Sequence, residues 1–346
     1  MVRLGNWLNN IFLWLFICLG IFGCSEGDKK TKPSPQPVKQ TTPKTFDISQ
    51  IYAPAFNEDS AYFFLKKQVE FGPRVPGSEA HRKCKTYIVN TLKRYGFAVK
   101  EQKGEVELFN GKKIEITNII AQSDTSANKK ILLMAHYDTR PFADRDTKNR
   151  TKPILGANDG ASGVAVLLEI ARVISTDSIK PEVGIEMVFF DAEDYGQPQE
   201  TFSSANNSNT WCLGSQYWAK NLDTPRSEYL YGILLDMVGG KIARFPKEGG
   251  SMYYAPLVVE KVWSIARAAG YGKYFVNETM YGAITDDHKY VNEIAHIPSI
   301  DIVHYEVHRN DFFLHHHKHS DNLNQIDKNT LKAVGQTLLY VIYSEK

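Results

Sequence analysis

Four cysteines in 346 residues are too few for a disulfide framework, and two of them, Cys18 and Cys24, fall within the first two dozen positions. Cys84 and Cys212 remain; they can pair in an oxidising compartment, but one bridge does not staple a small fold. Charge of one sign is also lacking. The formal net charge is +2, so no basic surplus points to nucleic acid. Internal repeats are absent, and neither a GxGxxG nor a GxxxxGK[ST] pattern occurs, which sets aside the two common phosphate-cradling loops. No apolar run reaches the ~20 residues that a membrane-spanning helix needs. The length, with an ordinary apolar fraction, allows one large α/β domain or two small ones.

What is present begins with a leader. Residues 1–24 carry Arg3, then an apolar run of about a dozen residues, then small residues before Cys24, the pattern of a secretory signal. Ile21-Phe22-Gly23-Cys24 resembles a bacterial lipoprotein cleavage site, with Cys24 as the lipidated residue; the alternative is an uncleaved anchor. Either way the expectation is an exported chain tethered to a membrane, facing the periplasm of a Gram-negative bacterium. Residues 25–45 are rich in Pro, Lys and Thr, lack apolar periodicity and read as an extended spacer. The pattern becomes globular at Phe46 and stays so to the C-terminus.

Helical spacing runs over Asp59–Glu70 and Glu79–Tyr95, with Ser78 placed to cap the second. FAVKEQKGEVEL and KIEITNIIAQ alternate like the strands of a hairpin. KKILLMAHYD, VGIEMVFFDAED, YLYGILLDMVGG and IPSIDIVH are buried strands, ASGVAVLLEIARVI is a helix, and Asp327–Tyr343 closes the chain as an amphipathic helix. Strands alternating with helices predict a single α/β domain, a central mostly parallel mixed sheet covered by helices on both faces.

Polar residues gather where three of these strands end. His136 and Asp138, then Asp191, Glu193 and Asp194, then Asp236 each follow an apolar run directly. Ligands of open α/β sheets bind beyond the carboxyl ends of the strands, so three strands deliver carboxylates and imidazole to one rim. Between the first two clusters lies GANDGASG, in which Asp159 precedes a helix. One Asp after a strand is usually a turn former; three clusters are harder to dismiss. With His319 added, this set suits zinc, which takes three such ligands and keeps one open position in catalytic sites.

In order along the chain, AHYDTR, GANDGASG, FFDAED, LLDMVGG and the late HS resemble the motifs of the zinc aminopeptidase superfamily, with its phosphorylase/hydrolase-like fold. Within it, FGPRVPGS, AHYDTR, LLDMVGG and ITDDH are most similar to glutaminyl cyclases, particularly the bacterial type related to the animal enzymes. These convert an N-terminal glutamine to pyroglutamate with release of ammonia. The resemblance implies one zinc per chain on Asp159, Asp194 and His319, with Glu193 as proton shuttle and Asp236 and Asp286 as the acids beside it. His136 and Asp138 become supporting residues, and His315, His316 and His317 match no motif. Trp211 and Thr285 are candidate walls of the substrate pocket. The chain departs from the animal pattern in having Glu193-Asp194 for Glu-Glu, Thr285 for a glutamine, and Lys318 where a tryptophan precedes the metal histidine.

The implied partners are peptides or proteins with N-terminal glutamine, acted on by a monomer. Two other readings stay open. A two-zinc aminopeptidase would use His136, Asp159, Asp194, Asp236 and His319; a non-catalytic binding protein on the same fold would have lost ligands.

Overall fold

Side-chain caps set the first helices. Asn57 accepts the N–H of Ser60 to open α1 (Glu58–Glu70), and Ser78 accepts the N–H of His81 to open α2 (Glu79–Arg94). The computed structural model describes residues 46–198 and 208–346. The signal segment 1–24 with Cys24, and the spacer 25–45, lie outside the described residues.

Six strands form the main sheet: β1 (Ala98–Glu107), β2 (Lys113–Gln122), β3 (Lys130–His136), β4 (Gly184–Phe190), β5 (Tyr229–Asp236) and β8 (Ser299–Val303), in the order β1-β2-β4-β3-β5-β8. β4, β3, β5 and β8 run parallel, and the β1–β2 hairpin joins antiparallel through β2 and β4. The mostly parallel mixed sheet is therefore as the sequence pattern predicts.

The parallel strands are buried on both faces. On β3, Ile131, Leu133 and Ala135 enter one apolar core with α1, α2, α3 (Ala161–Thr176), α6 (Pro256–Ala268) and α8 (Lys328–Tyr343). Leu132 and Met134 enter a second core on the opposite face, with Trp218 of α4 (Leu213–Lys220) and Val291, which follows α7 (Asp287–Tyr290). This two-sided burial is why these strands read as continuous apolar runs rather than alternating ones.

A smaller parallel pair, β6 (Phe245–Lys247) and β7 (Phe275–Thr279), lies beside α5 (Gly249–Tyr254) in the chain and supports the loop that precedes α7. Gly163 lets α3 press onto β5: a Cβ there would lie 2.2 Å from the carbonyl oxygen of Leu235. That contact fixes the helix whose entry loop carries Asp159. Among the described residues, no helix is long and apolar enough to cross a membrane.

Candidate active site

The strand ends converge as expected. His136 is the last residue of β3 and Asp236 the last of β5, while Asp191, Glu193 and Asp194 lie just past β4. Asp159 comes from the turn before α3, where Gly160 has φ 76° and its missing Cβ leaves room for the His136 ring at 2.8 Å. Asp138 accepts the N–H of Glu193 at 3.1 Å and of Asp194 at 3.2 Å, so the β3 end fixes the turn that presents both acids.

That turn and its surroundings use sparsely populated backbone. Ala192 (φ 51°), Cys212 (55°), Met237 (51°) and His317 (56°) are non-glycine residues in the left-handed region, each beside or within the cluster.

His136 Nε2 stands 3.3 Å from Asp159 Oδ1 and 3.2 Å from Asp236 Oδ1. Asp159 also faces the late histidines, its Oδ2 lying 3.8 Å from His317 Nε2. His317 Nε2 in turn lies 2.9 Å from Asp194 Oδ1. Asp159, Asp194 and His317 thus meet at one place. His319, the histidine expected to complete this set, is not brought to it. Its imidazole, 37% exposed, is hydrogen-bonded to Asp146 at 2.9 Å, whereas His317 is only 9% exposed. The tract winds through tight turns, with Lys318 N–H bonded to the carbonyl of His315 and Asp321 N–H to that of Lys318. The left-handed His317 turns inward there, and residue spacing alone does not reveal it. His317, which matches no motif in the sequence, is thus the histidine that faces Asp159 and Asp194, and the residue before it is His316 rather than Lys318.

Asp321, also absent from the sequence expectations, locks the register: its carboxylate accepts the N–H groups of Asn158 and Asp159 at 2.9 and 3.0 Å. Arg140 does similar work from AHYDTR. It pairs with Asp144, donates to the carbonyl of Asp194 at 2.9 Å, and stacks 4.4 Å from the Trp211 ring centroid. Trp211 lies parallel to the His317 ring at 5.8 Å.

The donor set fits a zinc ion. Both carboxylate oxygens of Asp194 and Oδ2 of Asp159 are buried without a hydrogen-bond partner, a costly arrangement that a cation relieves. Burial, followed by the charge of Arg140, lowers the His317 pKa to about 3, so the imidazole is neutral as a ligand must be. A second buried group, His136, Asp159 and Asp236, has ligand atoms within 4.8 Å of one another.

Beside these groups is a wall of acids. Glu193, Cys212 and Asp286 bring polar atoms within 4.8 Å of each other. Burial raises the Glu193 carboxyl well above its usual range against the pull of His136, and the charges of Asp194 and Asp286 push the same way as burial. Burial likewise raises Asp286, and raises Asp236 to about 7. Behind Asp286 lies a buried support of Asp301, His288 and Glu248, none of them expected from sequence. The cavity in front holds about 500 Å³, and Trp211, Met237, Ile284, Thr285 and Phe312 are among the residues that line it. Cys84 and Cys212 are both free and buried, and so do not pair.

Residues 118–342 match the model of peptidase family M28. A solved glutaminyl cyclase from Bacteroides thetaiotaomicron, bound to N-acetylhistamine, is 47% identical, with a TM-score of 0.82 over 85% of this chain and 100% of that one. A Zn-dependent exopeptidase from Parabacteroides distasonis is 48% identical, with a TM-score of 0.81 over the same shares. A glutaminyl-peptide cyclotransferase of Dictyostelium discoideum is 24% identical over 297 residues, covering 76% of this chain and 78% of the relative.

Proposed function

The chain belongs to peptidase family M28, and from that premise we propose that it is a glutaminyl-peptide cyclotransferase, converting the N-terminal glutamine of peptides and proteins to pyroglutamate with release of ammonia. The observation that carries this reading is the near-half identity to a bacterial glutaminyl cyclase along that enzyme's whole length. The geometry supplies suitable equipment. One zinc per chain would be held by Asp159, Asp194 and His317. When bound, it supplies a Lewis acid that polarises the γ-carbonyl of the substrate and stabilises the developing oxyanion.

The protein's own groups do the rest. The cavity holds glutamine in a folded-back conformer, so the α-amine nitrogen attacks the γ-carbonyl carbon within one molecule. The new N–C bond forms as the amide C–N bond breaks. Glu193 takes a proton from the α-amine nitrogen and returns it to the departing nitrogen, which leaves as ammonia. Its carboxyl, raised by burial, holds a proton more readily than an exposed glutamate does, as a group that must accept a proton and then return it requires. Asp236 and Asp286 orient the amine, and Trp211 and Thr285 wall the pocket that holds the side chain. No activated water is required.

A two-zinc aminopeptidase is the second reading, favoured by the His136–Asp159–Asp236 group, which offers a second metal position sharing Asp159. We further propose that the enzyme acts as a monomer, lipidated at Cys24 and exported to the periplasmic side of a Gram-negative membrane, with residues 25–45 as its tether. Incubation with Gln-initiated and Leu-initiated peptides, followed by mass analysis, tests the two enzymatic readings. Loss of ammonia from the Gln peptide alone supports the cyclase, and release of free leucine supports the peptidase.

A further inference from the structure

We propose that Cys212 is a positioning residue for Glu193, its buried thiol holding the carboxylate in the orientation needed for proton transfer; this rests on the cyclase reading of the site. The Sγ atom lies 3.2 Å from Glu193 Oε1, and Cys212 has no solvent exposure. Among the described residues, this thiol is the one hydrogen-bond donor to the Glu193 carboxylate. The other oxygen, Oε2, is left toward His136, at 3.9 Å from its Nδ1. When Glu193 is ionised, as it must be to take a proton, the thiol beside it has one productive arrangement, S–H donating to oxygen, because a carboxylate offers only acceptors. Burial, together with the charge of Glu193, raises the Cys212 pKa, which keeps that proton on sulfur.

The backbone is arranged around this contact. The Cys212 N–H donates to the carbonyl of Glu193 at 2.9 Å, so the two residues are joined through both main chain and side chain. The next bond, Leu213 N–H to the carbonyl of Ala192 at 3.1 Å, continues the pairing. Cys212 and Ala192, facing each other here, both occupy the left-handed region, with φ 55° and 51°. Such conformations persist where the surroundings over-determine them, and they gather at functional sites. Gly214 removes the slack that remains: a Cβ there would lie 2.2 Å from the carbonyl oxygen of Asp191. The first turn of α4, which follows Cys212 directly, is thus pressed against the turn carrying Glu193. Its neighbouring side chain, Trp211, stacks on His317, so one segment supports both the base and the metal side of the site.

Alanine and serine at position 212 leave voids of nearly equal size, and only serine keeps a donor. In the full-length zinc-loaded protein, Cys212→Ala is expected to lower kcat about tenfold on a Gln peptide, the order that one lost hydrogen bond to a charged group produces. KM should shift less than about twofold, since ground-state binding does not need proton transfer, and zinc content should be unchanged. Cys212→Ser is expected to recover most of the loss. Infrared spectroscopy supplies a readout independent of turnover. The S–H stretching band that disappears in Cys212→Ser should lie at lowered frequency in the wild type and move up in Glu193→Ala. Wild-type kcat in Cys212→Ala, a serine variant as slow as the alanine one, or a band indifferent to Glu193→Ala would each overturn the proposal. A wild type that leaves Gln peptides intact would instead overturn the cyclase reading, and the infrared arm still decides whether the thiol holds Glu193.

Discussion

Nε2 of His317 lies 2.9 Å from Oδ1 of Asp194, an oxygen that is buried and accepts no hydrogen bond of its own. The carboxylate is therefore poised for a cation, with the neutral imidazole as its neighbour. His317→Ala is expected to lose zinc and activity together. The fall in affinity should exceed the roughly 10–100-fold that removal of an outer-shell partner costs, because a ligand itself is lost. His319→Ala, which removes only the contact with Asp146, should keep both. Metal analysis of the two purified variants checks the pair, and zinc retained by the His317 variant would move the ligand set elsewhere.

The sheet was legible because its strands are extreme. ILLMA in β3 and GIEMVFF in β4 are buried on both faces, and such runs stand out from any periodic background. The acids that follow them were legible for the same reason, since a polar residue directly after a wholly buried strand has few other places to go. The histidine tract lacked that support. Four imidazoles in five positions differ only in how a set of turns aims them, and the left-handed φ of His317 leaves no mark in composition. Glu248, His288 and Asp301 escaped notice because they act through Asp286 from separate segments, and only the packed chain brings them together. Cys212 likewise means nothing until α4 is set against the Glu193 turn.

His136 separates one metal from two. Its Nε2 contacts Asp159 and Asp236, the geometry of a hydrogen-bonded strut as well as of a ligand. If one zinc is bound, His136→Ala should retain about one equivalent while turnover falls through misplacement of Asp159. A drop from two equivalents to one, with activity restored by excess zinc, would favour the aminopeptidase reading.

Acid stability offers a check away from the metal. Burial alone raises the Glu248 carboxyl, but His288 and the N–H groups of Gly250 and Ser251 outweigh it and lower the pKa to about 2, from 4.5. A depressed carboxylate stabilises the fold above its unfolded pKa and loses that contribution as pH falls through the folded value. The shift corresponds to about 3 kcal/mol. Glu248→Gln should therefore be less stable than the wild type by that order at pH 6–7, with the gap closing between pH ~4.5 and ~2. Denaturant unfolding across this range measures it; a gap that stays constant with pH would remove the charge on Glu248 as the cause.

Glu193 is the residue on which the mechanism turns. It neighbours Asp194, yet its carboxylate faces Cys212 and Asp286 rather than His317. Glu193→Gln keeps the shape of the side chain while removing the base, so zinc should stay bound. General acid–base catalysis contributes roughly a hundredfold to ten-thousandfold, and kcat should fall by that order with a much smaller change in KM. The nucleophile supplies a second arm. Since the attacking nitrogen is the α-amine of the substrate, acetylation of a Gln peptide should abolish turnover by the wild type, whatever the state of the metal. Zinc content, kinetics and ammonia release, measured on both proteins with both peptides, separate these claims. Near-normal turnover in Glu193→Gln would take the proton shuttle away from this position, and ammonia from the acetylated peptide would end the case for cyclisation, because hydrolysis of the side-chain amide needs no free amine.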